Sequence, residues 1–287
     1  MATFKDYYSL TKPGVLYGNA ITAAAGFLLA SHGHVVIWLF IALCVGSTLM
    51  IASACVLNNF LDQDIDSKME RTKTRAIVAG KVKGRDAVVL SIILGIVGLL
   101  VLVLWTNWLV VAVGLIGYID YIIFYGMLSK RLSIHGTLVG SISGAVPILA
   151  GYVAVTGRID IGASIVFAIL FLWQMPEFYS IAIYRQKEYK AAGVPVISVV
   201  KGIKTTRVQI FAYTLAFVIA TLLLTVYGFA GYSYFVVMAL LGVYWLWIAS
   251  QGLHAKDSDT WARHMFRFSL IVLLVFCAMI SLNSLLP

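Results

Sequence analysis

Nine apolar runs follow one another along the chain, each near the ~20 residues a helix needs to cross a hydrocarbon core of roughly 30 Å. They read as spans at 15–31, 35–61, 86–105, 108–125, 136–155, 161–182, 206–227, 231–252 and 264–285. Three of the cuts are thin: Ser31-His32-Gly33-His34, Trp105-Thr106-Asn107 and Gly228-Phe229-Ala230-Gly231 offer a tight turn and little else. The pattern predicts an all-α integral membrane protein of nine transmembrane helices. A single domain over 1–287 is expected, with polar loops at about 62–85, 126–135, 183–205 and 253–263.

The charged residues between the runs segregate by side. Lys5 and Lys12 precede the first run, residues 68–85 carry four lysines and three arginines, and Lys130 and Arg131 follow the fourth run. Residues 185–207 hold Arg185, Lys187, Lys190, Lys201, Lys204 and Arg207, and Lys256, Arg263 and Arg267 precede or open the ninth run. Counted alternately, only Arg158 falls on the other side. Cytoplasmic loops carry the positive excess, so the N-terminus is expected in the cytoplasm and the C-terminus outside. A miscounted span would scramble this parity downstream of the error. Lys5 and Lys12 ahead of an apolar stretch superficially resemble a signal peptide, but with further spans behind it the first run is expected to be retained.

Composition agrees with lipid as the main solvent: 61% of residues are hydrophobic, 11% are charged, and the mean hydropathy is +0.96. The formal charge of +9 lies in short clusters between spans rather than along one soluble face, which argues against a nucleic-acid partner and for lipid headgroups and a phosphorylated substrate. Cys44, Cys55 and Cys277 show neither zinc-ligand nor disulfide spacing.

The end of the second run carries the most specific chemistry. Asn58, Asp62 and Asp66 recur every four residues, which stacks their side chains on one helical face. Like charges at that spacing repel and need a counter-charge. A hard divalent cation supplies one, because Mg²⁺ binds carboxylate and amide oxygens together with substrate phosphates. Arg71, Lys73 and Arg75 follow and suit the remaining phosphate charge. The plain alternative is a solvated loop with loose ion pairs. Asn58 and Asp62 fall at the membrane boundary, however, where polar residues are costly and usually functional. Asp64, off this face, is either solvated or supports the ligands from behind. Lys130 and Arg131, on the same side by parity, either reach the diphosphate or anchor lipid phosphates. Asp120 lies inside a span and is read as a hydrogen-bonded structural acid or a pocket residue. His32, His34, His254 and His264 read as surface residues.

Asn58 through Asp66 resembles NxxxDxxxD, the first motif of the UbiA family of intramembrane prenyltransferases, whose fold is nine transmembrane helices. Four further stretches resemble the haem-modifying branch of that family: Lys12-Pro13-Gly14, Lys68 through Arg75, Lys130-Arg131-Leu132-Ser133 with Gly140 and Gly144, and Trp173-Gln174-Met175-Pro176 through Tyr189 to Pro195. The resemblance implies transfer of farnesyl from farnesyl diphosphate to a vinyl group of haem b, giving haem O and diphosphate. It implies catalysis by Asn58, Asp62, Asp66, Arg71 and Lys73, with Mg²⁺ on the first three. The diphosphate would lie on Arg71, Lys73, Arg75, Lys130 and Arg131, and the haem or a second acidic site on Gln174, Glu177, Tyr184, Glu188 and His135. A bacterial inner-membrane location follows, with the site near the cytoplasmic face, in contact with membrane lipid and in possible association with terminal oxidase or haem A synthase machinery.

One residue departs from that pattern: Glu177 stands where the family has His after Gln-Met-Pro. A carboxylate is a poorer axial ligand for haem iron than imidazole. Glu177 therefore holds haem differently, serves a second acidic site, or pairs with Arg or Lys. It is eleven residues from Glu188, about 16 Å on a continuous helix, too far to share one metal unless the helix breaks after Tyr184. Two other functions fit part of the pattern. A prenyltransferase for an aromatic or quinone precursor would share the first motif but not the 173–195 stretch. An ion-coupled transporter would use Asn58, Asp62 and Asp120, yet the acidic cluster sits at the membrane edge rather than its midplane.

Overall fold

The computed structural model describes residues 2–286. Among them nine helices are long and apolar enough to cross a membrane: α1 Pro13–Ser31, α2 Ile37–Leu61, α3 Gly84–Trp105, α4 Trp108–Leu132, α5 Gly136–Thr156, α6 Ile161–Tyr184, α7 Gly202–Val226, α8 Tyr232–His254 and α9 Ser258–Ser281. No strand occurs among the described residues. A short helix, Phe4–Leu10, precedes α1.

The outer surface is apolar. On α3, Ile92, Ile93 and Ile96 are each more than half exposed, while Ala87, Ser91, Gly98 and Leu102 turn inward onto α2. Continuous apolar faces of this kind need lipid as solvent. Helices in lipid gain little from hydrophobic association, so close packing and hydrogen bonds hold them together. The Ser53 hydroxyl donates to Ser91 O at 2.7 Å and the Ser91 hydroxyl donates to Ser53 O at 2.9 Å, which ties α2 to α3. α1 and α5 approach backbone to backbone at Gly26 and Gly151. A Cβ on Gly26 would lie 2.1 Å from Ile148 O, and one on Gly151 would lie 2.0 Å from Ala23 O. α6 packs against α5, α7 and α9 and forms the buried spine of the bundle.

The thin cuts are hairpins, as their composition predicts. Gly33 (φ 87°) and Gly228 (φ 77°) take left-handed turns, and the Asn107 side chain accepts from Leu109 N and Val110 N to cap α4. Other helix ends differ from the apolar pattern. α4 continues past residue 125 through a π-helical stretch, Asp120–Ser129, and a last turn, Lys130–Leu132. Lys130 and Arg131 therefore stand on a helix rather than in a loop. α9 begins at Ser258 instead of near 264, because Asp257 caps it through Asp259 N and Thr260 N. Apolarity stops where lipid stops, but backbone hydrogen bonding continues into the polar layer.

Candidate active site

α2 leaves regular geometry at Asp62 (φ −91°, ψ 8°), and one further turn, Gln63–Asp66, follows. The four-residue hydrogen bonds cross the break, Asp62 N to Asn58 O at 3.0 Å and Asp66 N to Asp62 O at 2.8 Å. Asn58, Asp62 and Asp66 thus remain on one face, and all three are buried. This face forms part of the wall of a chamber of about 730 Å³ inside the bundle. Met50, Ile51, Val146 and Leu170 line its apolar part.

A cation meets each of these polar side chains. The Lys130 ammonium lies 2.5 Å from Asp62 Oδ2, Arg75 pairs with Asp66, and Lys12 donates to Asn58 Oδ1 at 2.5 Å. Arg131 forks onto Asp64 at 2.7 and 2.8 Å and donates to Leu61 O, and this fork holds the Asp64 carboxyl down at about 2. Asp64 therefore supports the cluster from outside the chamber.

Lys12, which the sequence marks as an N-terminal charge and as part of the Lys12-Pro13-Gly14 stretch but gives no role at the acid face, belongs to the site. It takes a left-handed backbone (φ 53°, ψ 69°) immediately before Pro13, a conformation that costs about 1–3 kcal/mol for a residue other than glycine. The turn brings its ammonium over Asn58, 46 residues away in sequence, and burial pulls the ammonium down to about 8. A Lys-Pro pair heading the first span is the signal that points to it.

The donor set fits Mg²⁺. Asp62 Oδ1 is buried and has no hydrogen-bond partner, so the face holds an unused acceptor where desolvation makes it expensive, while the unpaired Asn58 Nδ2 is a donor suited to a ligand oxygen. No three His, Cys, Asp or Glu side chains converge among the described residues. An ion here would draw on the Asn58 amide and on ligand oxygens as well as the two carboxylates, the mixed coordination characteristic of Mg²⁺.

The other expected residues divide. Arg71 lines the chamber beside this face. Lys73 does not, because it pairs with Glu70 one turn away at 2.6 Å. Arg131 is turned toward Asp64, and His135 is exposed at the start of α5 and off the chamber wall. On the opposite wall, Gln174 Nε2 donates to Ser141 O and Leu170 O. Gly144 makes room for it, since a Cβ there would lie 1.9 Å from Gln174 Oε1. Glu177 is buried, faces the chamber and makes no ion pair among the described residues, so the pairing with Arg or Lys is absent. The break after Tyr184 is present, at Arg185 (φ −112°, ψ 18°). It turns Glu188 onto Arg185 at 2.7 Å, outside the chamber wall, and Glu177 and Glu188 stay apart. Asp120 accepts from Ser143 N at 3.1 Å and does not line the chamber, which is the structural role of the two weighed.

An apolar chamber within a nine-helix membrane bundle, ending in paired acids and cations, defines an integral membrane protein with a charged site at the edge of an apolar cavity. Comparison with known proteins narrows this. The chain belongs to the UbiA prenyltransferase family, whose model matches residues 19–271. It is 47% identical over 284 residues, 99% of this chain and 96% of the relative, to a protoheme IX farnesyltransferase of Salmonella arizonae. One from Shigella flexneri is 46% identical over the same shares. A digeranylgeranylglyceryl phosphate synthase shares the fold at a TM-score of 0.81 and 19% identity, with 98% of each chain covered. So does a UbiA homologue from Archaeoglobus fulgidus bound to DMAPP and Mg²⁺, at 0.79 and 13%, covering 98% of this chain and all of the other.

Proposed function

We propose that this enzyme transfers farnesyl from farnesyl diphosphate to a vinyl group of haem b, giving haem O and diphosphate, with Mg²⁺ as cofactor. The observation that carries the donor half is the buried Asn58-Asp62-Asp66 face, with Asp62 Oδ1 unpaired, at the end of an apolar chamber. The acceptor half is supported by near-full-length likeness to protoheme IX farnesyltransferases.

Asn58, Asp62 and Asp66 would hold Mg²⁺, which would supply Lewis-acid charge to the leaving diphosphate. Lys12, Arg71, Arg75 and Lys130 surround the same position and offset the negative charge that develops as the C1–O bond breaks. The apolar wall takes the farnesyl chain and keeps bulk water from the allylic cation. The terminal vinyl carbon of haem forms the new bond to C1. The cation left beside the porphyrin adds water and releases a proton, which completes the hydroxyethylfarnesyl side chain. The basic end of the bundle faces the cytoplasm, and the protein resides in a bacterial inner membrane.

The test is turnover of purified protein with haem b, farnesyl diphosphate and Mg²⁺, read as haem O by mass. Product is expected, lost with EDTA and restored by Mg²⁺. A folded, haem-binding preparation that makes none would sink the reading, and prenylation of a phenolic ring instead would move the enzyme to the quinone-precursor branch.

A further inference from the structure

Beyond the α2 acids, the opposite wall of the chamber has a polar end of its own. Glu177, Ile181 and Tyr184 recur at three- or four-residue steps along α6 and line the chamber, as do Phe266 and Leu270 on α9. The Tyr184 and Phe266 ring centroids are 6.1 Å apart, and Trp173 Nε1 donates to Ser269 O at 2.9 Å, tying α6 to α9. Two guanidinium groups stand against the one Tyr184 ring, Arg263 at 4.5 Å and Arg185 at 5.4 Å from the centroid.

Like charges gathered on one ring repel, and Glu188 balances only Arg185. Arg263 makes no ion pair among the described residues. The cations of the donor wall are engaged by Asp62, Asp66 and Asn58, and Arg185, which lines the chamber, by Glu188, whereas Arg263 stands beside the chamber on the Tyr184 ring with no acidic partner among the described residues. An aromatic slot with Arg185 on its wall and Arg263 on the same Tyr184 ring just outside it matches a flat apolar molecule with two carboxylates on one edge. Guanidinium binds carboxylate through two parallel hydrogen bonds.

We propose that Arg185 and Arg263 hold the two propionate groups of the haem acceptor and thereby set which edge of the porphyrin enters the chamber. Glu177 lies eight residues before Arg185, about 12 Å deeper along α6. With the propionates on these arginines, the vinyl-bearing edge on the far side of the ring reaches the inner chamber at the level of Glu177. The arginines are positioning residues: they select and orient the acceptor without taking part in bond making. The assignment rests on haem as acceptor, as proposed above.

The test compares haem b with its dimethyl ester, whose propionates carry no charge, in wild type, Arg263→Gln, Arg263→Lys and the Arg185→Gln/Arg263→Gln pair. Both turnover and equilibrium binding, followed by the Soret band, are measured. Wild type is expected to bind the ester about tenfold more weakly than haem b, the double variant to lose that preference, and Arg263→Lys to keep part of it. KM for farnesyl diphosphate stays at the wild-type value. Arg263 is exposed, so its variants are expected to fold, and thermal unfolding checks this. A double variant that still prefers haem b, or a rise in KM for farnesyl diphosphate with haem binding intact, overturns the assignment. Wild type that binds haem in this ester-sensitive way yet makes no haem O counts against the proposed reaction and leaves the propionate site standing.

Discussion

Removing Asp62 separates what its carboxylate does for the fold from what it does for chemistry. The carboxylate is 1% exposed and faces the Lys130 ammonium at 2.5 Å, which is itself 18% exposed. Asp62→Ala leaves that ammonium buried without its partner, a loss of about 3–5 kcal/mol for a broken buried pair. Arg131 Nη2, 3.6 Å from Asp62 Oδ1, also loses a weaker interaction. Removing both charges in Asp62→Ala/Lys130→Met takes away the orphaned ammonium, so most of the lost stability should return. Activity should not return, because the carboxylate proposed to hold Mg²⁺ is still missing. Deleting one preorganised group at a site of developing charge costs about 10²–10³ in kcat. The assay is a double-mutant cycle: thermal unfolding in detergent beside haem O formation, at several Mg²⁺ concentrations. Unfolding should fall sharply in Asp62→Ala and largely recover in the pair, while turnover stays below about one hundredth of wild type in both. A double variant that turns over, or an Asp62→Ala protein of normal stability and normal Mg²⁺ dependence, would refute this account of the site.

Three further outcomes follow from the geometry. Gly144→Ala places a Cβ 1.9 Å from Gln174 Oε1 and must displace an amide that donates to Ser141 O and Leu170 O. A destabilisation of about 2–4 kcal/mol is expected, relieved in Gly144→Ala/Gln174→Ala and measurable by thermal unfolding. Lys12→Met removes the ammonium from Asn58 and should raise KM for farnesyl diphosphate several-fold with haem affinity unchanged, and equal effects on both substrates would contradict its placement. Asp120→Ala leaves Ser143 N without its side-chain acceptor and should lower stability by about 1–3 kcal/mol, while kcat per folded molecule stays at the wild-type level because Asp120 does not line the chamber.

By itself the sequence determined the number of spans, the segregation of the basic residues into alternate loops and the acid face on α2. Each of these is local or periodic. A span shows in twenty apolar residues, the segregation in the parity of Lys and Arg, and the acid face in a four-residue repeat that survives the break at Asp62 because the backbone bonds continue across it. Arg75 and Lys130 were also legible, as charges on the right side and within reach.

What only the tertiary structure decided is which of those charges meet. Lys12 reaches Asn58 through a strained turn that composition does not register, and Lys73, three residues from Glu70, is lost to a neighbour. The π-helical stretch that carries α4 on to Lys130 breaks no apolar pattern, because a wider turn changes the direction of side chains and not their polarity. Arg185 and Arg263 are 78 residues apart and share the Tyr184 ring only because α6 and α9 pack side by side. A sequence states the charge on each residue, whereas the partner of that charge is set by helices brought together through close contact and hydrogen bonding in lipid, and that choice made the two walls of the chamber different.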